Sequence, residues 1–350
     1  MKNENLPITN NQYTELHCHS YYSLLDGASS PEALVARAAD LGLPALALTD
    51  HDSLAGAVRF WTAARAAGIQ PIFGAELTLA DGHHLTVLAE TQDGYANLCR
   101  LLTQSRLEQI PEADYTQTPG AWPGKVTPAL DWEMLHAQRQ GLIVLSGCRR
   151  AGAGAARAGQ AAIAQANVAR LRECFAPEQL FLEVQHHALP DDDRLMRQAL
   201  ALAAHGAAHR RHQQRSLANT ADSRLRDALL AVANHTTLTQ AQRDGHLPPN
   251  SRYALTAPAQ MARTYRSRPD ALRHSVEIAR RCQVTLDFSR NAFPRRPSPR
   301  STPIFRPLPT STNSATTTCP GAIPRSRPRC SSSSPTNWTS SSGPIWRAIF

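Results

Sequence analysis

The chain has 350 residues, 42% of them hydrophobic and 19% charged, enough apolar material for one large domain or two ordinary ones. Its formal net charge is +9, yet eight arginines fall from Arg295 onward and three more (Arg210, Arg211, Arg215) between Gly206 and Leu217, with no acid in either stretch. Taking eight and three from +9 leaves −2, so the body of the chain is not a basic nucleic-acid surface.

In chain order, Thr14 to Leu16 reads as a short strand that runs into His17 and His19. On a strand, residues two apart share a face, so the two imidazoles project together while Cys18 faces away. Ser30-Pro31-Glu32 is an N-cap followed by proline at the first helical position, and Leu34, Val35, Ala38 and Leu41 keep helical spacing until Gly42. "LPALALT" (43–49) is a continuous apolar run, as expected of a strand buried on both faces. Asp52 or Ser53 is expected to cap the next helix, through Val58 and Trp61 to Gly68. "PIFGAEL" and "HLTVLAE" are further strands, Gly94-Tyr95 opens a helix, and a Pro-rich loop covers about 110–128. "GLIVLSG" and "LFLEVQ" follow as buried strands separated by an Ala-rich helix.

Repeated strand–helix units imply an α/β fold with a largely parallel sheet, most economically closed into a barrel. In such barrels chemistry collects where strands end. The polar residues at those ends are His17 and His19, Asp50 and His51, Glu76, His84 and Cys148. Two imidazoles converging at a strand end are how a metal site begins, and the recurrence at later strand ends strengthens that reading. By residue type alone, Asp26 equally suits a turn with Gly27, Cys148 a buried apolar position and His84 a satisfied strand-end histidine. Asp50 reads as a residue that orients an imidazole. The seven cysteines are odd in number and scattered, which excludes a disulfide framework. No signal peptide or apolar run of spanning length appears, and a cytoplasmic protein without membrane partners is expected.

"LHCHSYYSLLDGA", "LALTDHDSLAGAVRFW", "PIFGAEL", "HLTVLAETQDGYANLCRL", "LIVLSGC" and "FLEVQHH" occur in this order, and "DSRLRDALLAVANHTTL" follows at 222–238. Together they resemble the PHP (polymerase and histidinol phosphatase) domain. More narrowly, they resemble the N-terminal PHP domain of the bacterial DNA polymerase III alpha subunit, a C-family polymerase. The resemblance implies a distorted seven-stranded β/α barrel holding up to three divalent ions, with zinc, manganese or iron expected. Carried over by motif, His17, His19, Asp26, His51, Glu76, His84 and Cys148 would be ligands, with Glu76 able to bridge two ions. The implied chemistry is phosphoester hydrolysis, in this family a 3′–5′ exonuclease activity. The implied partners are a DNA 3′ end and the other polymerase III holoenzyme subunits. His186 and His187 fit the family string without a metal role.

The pattern breaks at "HGAAHRRHQQRSLA" (205–218), where the family carries a last buried strand ending in a motif of the form N-D-V-H-Y. Reading plausible codons one base later gives "TAPLIAATNNVHY", an apolar strand with that motif, save for Asn where the family usually shows a ligating Asp. As written, the segment puts arginine and histidine where a barrel must close, and it is expected to loop away from the sheet. After Phe293 the chain turns to Pro, Ser, Thr and Arg without periodicity. A shifted reading of its last twenty residues gives "LEQLTNELDVIERTDLARYF", an amphipathic helix resembling the entry to a polymerase palm domain. A frameshift in the gene or its sequence explains both segments.

The expected organisation is therefore a tail over 1–12, a PHP domain over 13–218, a helical segment over 219–293 and an out-of-frame tail over 294–350. Such a chain would stop before the carboxylates of nucleotidyl transfer. Two other readings are a free-standing phosphoesterase of the histidinol-phosphatase kind and a catalytically inert brace for a polymerase. "GYANLCRL" and the 222–238 stretch disfavour the first; retention of His17, His19, His51 and Glu76 disfavours the second.

Overall fold

The structure, a computed structural model, describes residues 13–107, 109, 126–146, 161–194, 196–197, 208–211, 217–266 and 269–287. All of these fall in one unit spanning 1–290.

Helix α1 (Pro31–Asp40) starts as its sequence dictates, with the Ser30 hydroxyl accepting from the Ala33 amide and proline in the first turn. It stops at Gly42, whose φ of 68° suits a residue without a Cβ. Strand β1 (Ala45–Leu48) is buried at all four positions. Leu46 and Leu48 enter a cluster with α1 and Phe60, whereas Ala45 and Ala47 face Leu16, Ile72 and Phe181. One apolar run thus serves two layers, which is why it does not alternate. Helix α2 (Ala57–Ala66) begins later than expected, and neither Asp52 nor Ser53 caps it: Gly56 holds the N-cap position with no side-chain cap bond. The Asp52 carboxylate is engaged instead by the amide and hydroxyl of Thr78, at 2.9 and 2.7 Å.

Strands β2 (Gln70–Thr78) and β3 (His84–Ala89) are joined by a short turn in which the Leu79 amide donates to the His83 carbonyl. That direct turn forces β3 antiparallel to β2, and β4 (Leu142–Leu145) pairs antiparallel to β3 as well. Strands β5 (Leu180–Val184) and β6 (Ala208–Arg211) then run parallel to β4. The sheet has the order β1-β2-β3-β4-β5-β6, so it is mixed, where a largely parallel one was expected. The expected strand over Thr14–Leu16 is reduced to an isolated parallel bridge between Glu15 and Leu46. Among the described residues the sheet does not close into a seven-stranded barrel.

Helix α3 (Gln92–Leu107) starts before Gly94, and α4 (Trp132–Ala137), capped by Asp131, was not expected from the sequence. Gly94 is required: a Cβ there would run into the Gly141 carbonyl. Helix α5 (Ala161–Cys174) precedes β5. Most of the Pro-rich stretch at 110–128 lies outside the described residues.

The expectation that the 205–218 segment loops away is corrected at its centre. Residues 208–211 pair in register with β5, from Phe181 opposite Ala208 to Val184 opposite Arg211. Backbone groups carry that pairing, and at the end of a sheet it can form without an apolar side chain.

Beyond it come α6 (Ser223–Ala233), α7 (Leu238–Arg243), α8 (Pro258–Thr264) and α9 (Pro269–Arg281), of which α9 packs against β1 and β6. On α9, Ala271, Leu272, Ser275, Val276, Ile278 and Ala279 form one buried stripe, with Ile278, Ala279 and Cys282 sharing a cluster with Leu16, Ala45 and Ile72. The Tyr253 ring lies against His187 at 4.2 Å, and the guanidinium of buried Arg226 lies 5.2 Å from the same ring. Helices α8 and α9 are therefore part of the core, through Met261, Leu272 and Ile278. They also reach the site: the Ser275 hydroxyl accepts from the Thr14 amide, three residues before His17.

Candidate metal centre

Glu76 projects from β2 beside Thr86 of β3, its partner in register, and His84 stands opposite Thr78 two positions along the same face. The geometry gathers everything around the Glu76 carboxylate. Oε2 lies 3.0 Å from Nε2 of both His17 and His19 and 3.6 Å from His51 Nδ1. Oε1 lies 3.0 Å from His84 Nδ1. His17 and His19 stack with centroids 5.0 Å apart, which is the same-face projection that their spacing predicts, and Cys18 is buried in the opposite layer. Asp26 completes the group, 3.6 Å from His19 Nδ1 and 3.5 Å from His51 Nε2.

Three overlapping trios have ligand atoms within 4.8 Å of one another: His17, His19 and Glu76; His19, Asp26 and His51; His51, Glu76 and His84. The trios share His19, His51 and Glu76, and of these only the Glu76 carboxylate has two oxygens to offer to two neighbouring ions. Burial is graded. His17, His19 and Glu76 have no exposed side-chain surface, while His51, Asp26 and His84 are 29%, 33% and 27% exposed. The first trio is the floor and the other two open toward solvent.

The electrostatics follow. Burial works against the charge on Glu76, but His17 and His51 outweigh it and hold its pKa well below the carboxylate range. For His17, burial is overcome by Glu183 and Glu76, which raise its pKa well above the usual imidazole value. His51 is raised in the same way by Glu76 and Asp26. His19 moves down, because burial and the neighbouring His51 outweigh its bond to Glu76. Two buried Nε2 atoms facing each other at 2.9 Å, beside an ionised carboxylate, form a donor set that fits a divalent cation.

Six of the seven expected ligands thus come together; Cys148 lies outside the described residues. Asp50 touches no ring directly. Its oxygens take the Ser20 amide and hydroxyl and the Ser23 hydroxyl, at 2.6, 2.8 and 2.7 Å, and Ser23 in turn sits 3.3 Å from His19 Nδ1. His83 points elsewhere, to Asp81 and Asn167. Sequence reasoning missed Glu183, whose Oε1 lies 2.8 Å from His17 Nδ1. The available signal was an acid inside the apolar run "LFLEVQ": a carboxylate on a buried strand needs a partner.

The PHP domain family matches residues 15–187. This stretch is a PHP domain. Beyond it, the chain is 39% identical over 300 residues to the error-prone DNA polymerase of Symbiobacterium thermophilum, covering 82% of this chain and 26% of that protein. It is 32% identical over 295 residues to the DNA polymerase III subunit alpha of Escherichia coli strain K12, covering 82% of this chain and 24% of that one. The chain spans about a quarter of the length of these curated relatives. Its likeness to the polymerases runs well past the PHP domain, as the sequence at 222–238 implied. Among solved structures, an amidohydrolase of Chromobacterium violaceum with bound sulfate aligns over 57% of this chain and 86% of its own, at a TM-score of 0.40 and 17% identity. No described helix is long and apolar enough to cross a membrane.

Proposed function

We propose that this chain is the PHP-bearing N-terminal part of a C-family DNA polymerase, and that its His/Asp/Glu cluster is a divalent-metal centre that hydrolyses a phosphodiester at a DNA 3′ end. The observation that carries the reading is Glu76, a fully buried carboxylate set among four imidazoles. Up to three ions, drawn from zinc, manganese and iron, suit this mixture of imidazole and carboxylate. Cys148 is assigned as a further ligand on the family motif. The PHP domain runs over 13–218, and the frame change deprives its last strand of the apolar sequence and the closing motif, while β6 keeps the backbone pairing. The helical segment over 219–293 corresponds to the stretch that leads toward the polymerase domain in the family, and the natural partners are DNA and the other holoenzyme subunits in the cytoplasm.

Divalent ions bound here supply charge that acidifies a water and neutralises phosphate oxygens. The protein's own residues do the rest. His17, His19 and Glu76 exclude water from the floor, so a substrate approaches from the side of Asp26, His51 and His84. Asp50, acting through Ser23, holds His19 in place, since the same hydroxyl also receives the His51 amide at 3.0 Å. The test is release of the terminal nucleotide from 3′-labelled single-stranded DNA by the full chain loaded with manganese or zinc. Chelator-sensitive release, abolished by His17→Ala, is expected. A metal-loaded chain that releases nothing rejects the nuclease.

A further inference from the structure

We infer that Glu183 is a positioning residue of the metal centre: it accepts the Nδ1 proton of His17 and thereby fixes the tautomer whose Nε2 lone pair faces Glu76 and His19. The inference rests on the metal-centre reading above.

Glu183 lies outside all three ligand trios. Its Oε1 is 2.8 Å from His17 Nδ1, whereas Nε2 of the same ring is 3.0 Å from Glu76 and 2.9 Å from His19. The two carboxylates therefore hold opposite ends of one imidazole. A carboxylate accepts at each end of the ring, so both nitrogens carry hydrogen while the ring is charged; when the ring gives one up, the hydrogen on Nδ1 stays with the nearer carboxylate, Glu183. The carboxylate is itself fixed. Gln185 donates to Oε1 at 2.7 Å, and the Glu183 amide donates to the Ser146 hydroxyl at 2.9 Å. Thr86 adds a discriminating element, because its hydroxyl is 3.1 Å from His17 Nδ1 and 3.5 Å from Glu183 Oε2. With Glu183 present, the hydroxyl donates to the carboxylate and offers a lone pair to Nδ1–H. With Glu183 removed, it is free to donate to a bare Nδ1. The ring then carries its proton on Nε2 and aims that proton at the ligand cluster. Carboxylate–imidazole–metal arrangements raise ligand basicity and fix ring orientation in this manner.

The experiment compares the full wild-type chain with Glu183→Ala and Glu183→Gln, each labelled with nitrogen-15 histidine. Zinc and manganese titrations give affinity, and ring-nitrogen shifts of the metal-free protein, taken at a pH high enough for His17 to have lost one of its two ring protons, give its tautomer. Glu183→Ala is expected to weaken metal binding by about 10–100-fold and to move His17 to the Nε2–H form. Glu183→Gln, whose amide oxygen still accepts, is expected to keep the tautomer and recover part of the affinity. If Glu183→Ala does not fold, Glu183→Gln must still bind metal more weakly than wild type. Unchanged affinity in the folded variant, or an Nδ1–H tautomer persisting in Glu183→Ala, overturns the assignment. A wild-type chain that binds neither ion overturns the metal centre itself, a result distinct from equal binding by wild type and variant.

Discussion

Glu76 and His84 stand on adjacent antiparallel strands, eight residues apart in sequence, and meet with Oε1 and Nδ1 at 3.0 Å. The turn between them brings an outer imidazole onto the carboxylate whose other oxygen meets the buried pair His17 and His19. Glu76→Gln should therefore disturb two trios at once. It replaces an anion by a neutral amide and leaves one donor nitrogen among imidazoles. We expect a loss of at least one bound ion per chain and metal affinity lower by ten- to a hundredfold or more, read by elemental analysis after dialysis. An unchanged metal content would remove Glu76 from the centre.

His17→Ala and His83→Ala form a matched pair. His17 belongs to the buried floor, whereas His83 is engaged by Asp81 and Asn167 outside the cluster. The first substitution should cost metal on the scale given for Glu76, and the second should leave the metal content at the wild-type level. Equal losses in the two variants would contradict the site geometry.

The dependence of stability on pH should invert with metal. For the metal-free chain, the raised pKa of His17 gives stability that is complete below the ordinary value of 6.5 and is lost as pH rises through the folded value. His51 acts in the same sense. Glu76, depressed, contributes above 4.5 and loses its contribution as pH falls. The lowered pKa of His19 works against the other two histidines, as a cost that is absent above 6.5 and grows as pH falls through the folded value. With two raised imidazoles against one lowered, melting temperature in chelator should fall as pH rises above 6.5. With zinc added, proton and metal compete for the same nitrogens, so it should rise or hold over that range. A metal-free chain that becomes steadily more stable toward alkaline pH would show that the raised imidazoles are not charged.

Restoring the reading frame over 205–218 should raise both stability and metal content. As written, Arg210 and Arg211 occupy β6 and Arg215 follows it, where the family pattern has an apolar strand ending in a ligand-bearing motif. An isolated charge held in an apolar interior costs several kcal/mol, against a total of about 5–15 kcal/mol for a domain. Thermal melts and elemental analysis of the chain as written and of its corrected counterpart decide the matter. Equal melting temperatures with three tightly held ions in both would show that the corrected strand is not needed.

Gly94→Ala tests the packing that carries the sheet. The new methyl would meet the carbonyl of Gly141 just before β4, so helix and strand must separate. A loss of about 1–3 kcal/mol is expected from such overpacking, visible in a denaturant melt. A neutral result would mean that α3 can shift without cost.

The sequence by itself determined the ligand chemistry and much of the local structure. The H-x-H spacing put two imidazoles on one face, the apolar runs marked β1 to β5, and Ser30-Pro31 marked the start of α1, because these depend on periods and caps within a few residues. Glu183 escaped that reading, since its role exists only where β5 passes His17, 166 residues away in the chain. Asp52 escaped it for a related reason: two groups of Thr78, across the sheet, outcompete a helix cap as partners for its carboxylate. The antiparallel course of β3 depended on a turn too short for a crossover, and the pairing of 208–211 on backbone hydrogen bonds that no side-chain pattern encodes. Tertiary structure also decided that α9 is core, with Ser275 fixing the amide of Thr14 ahead of the histidine pair. Local periodicity specifies which face of an element is apolar; only packing specifies which distant face it meets.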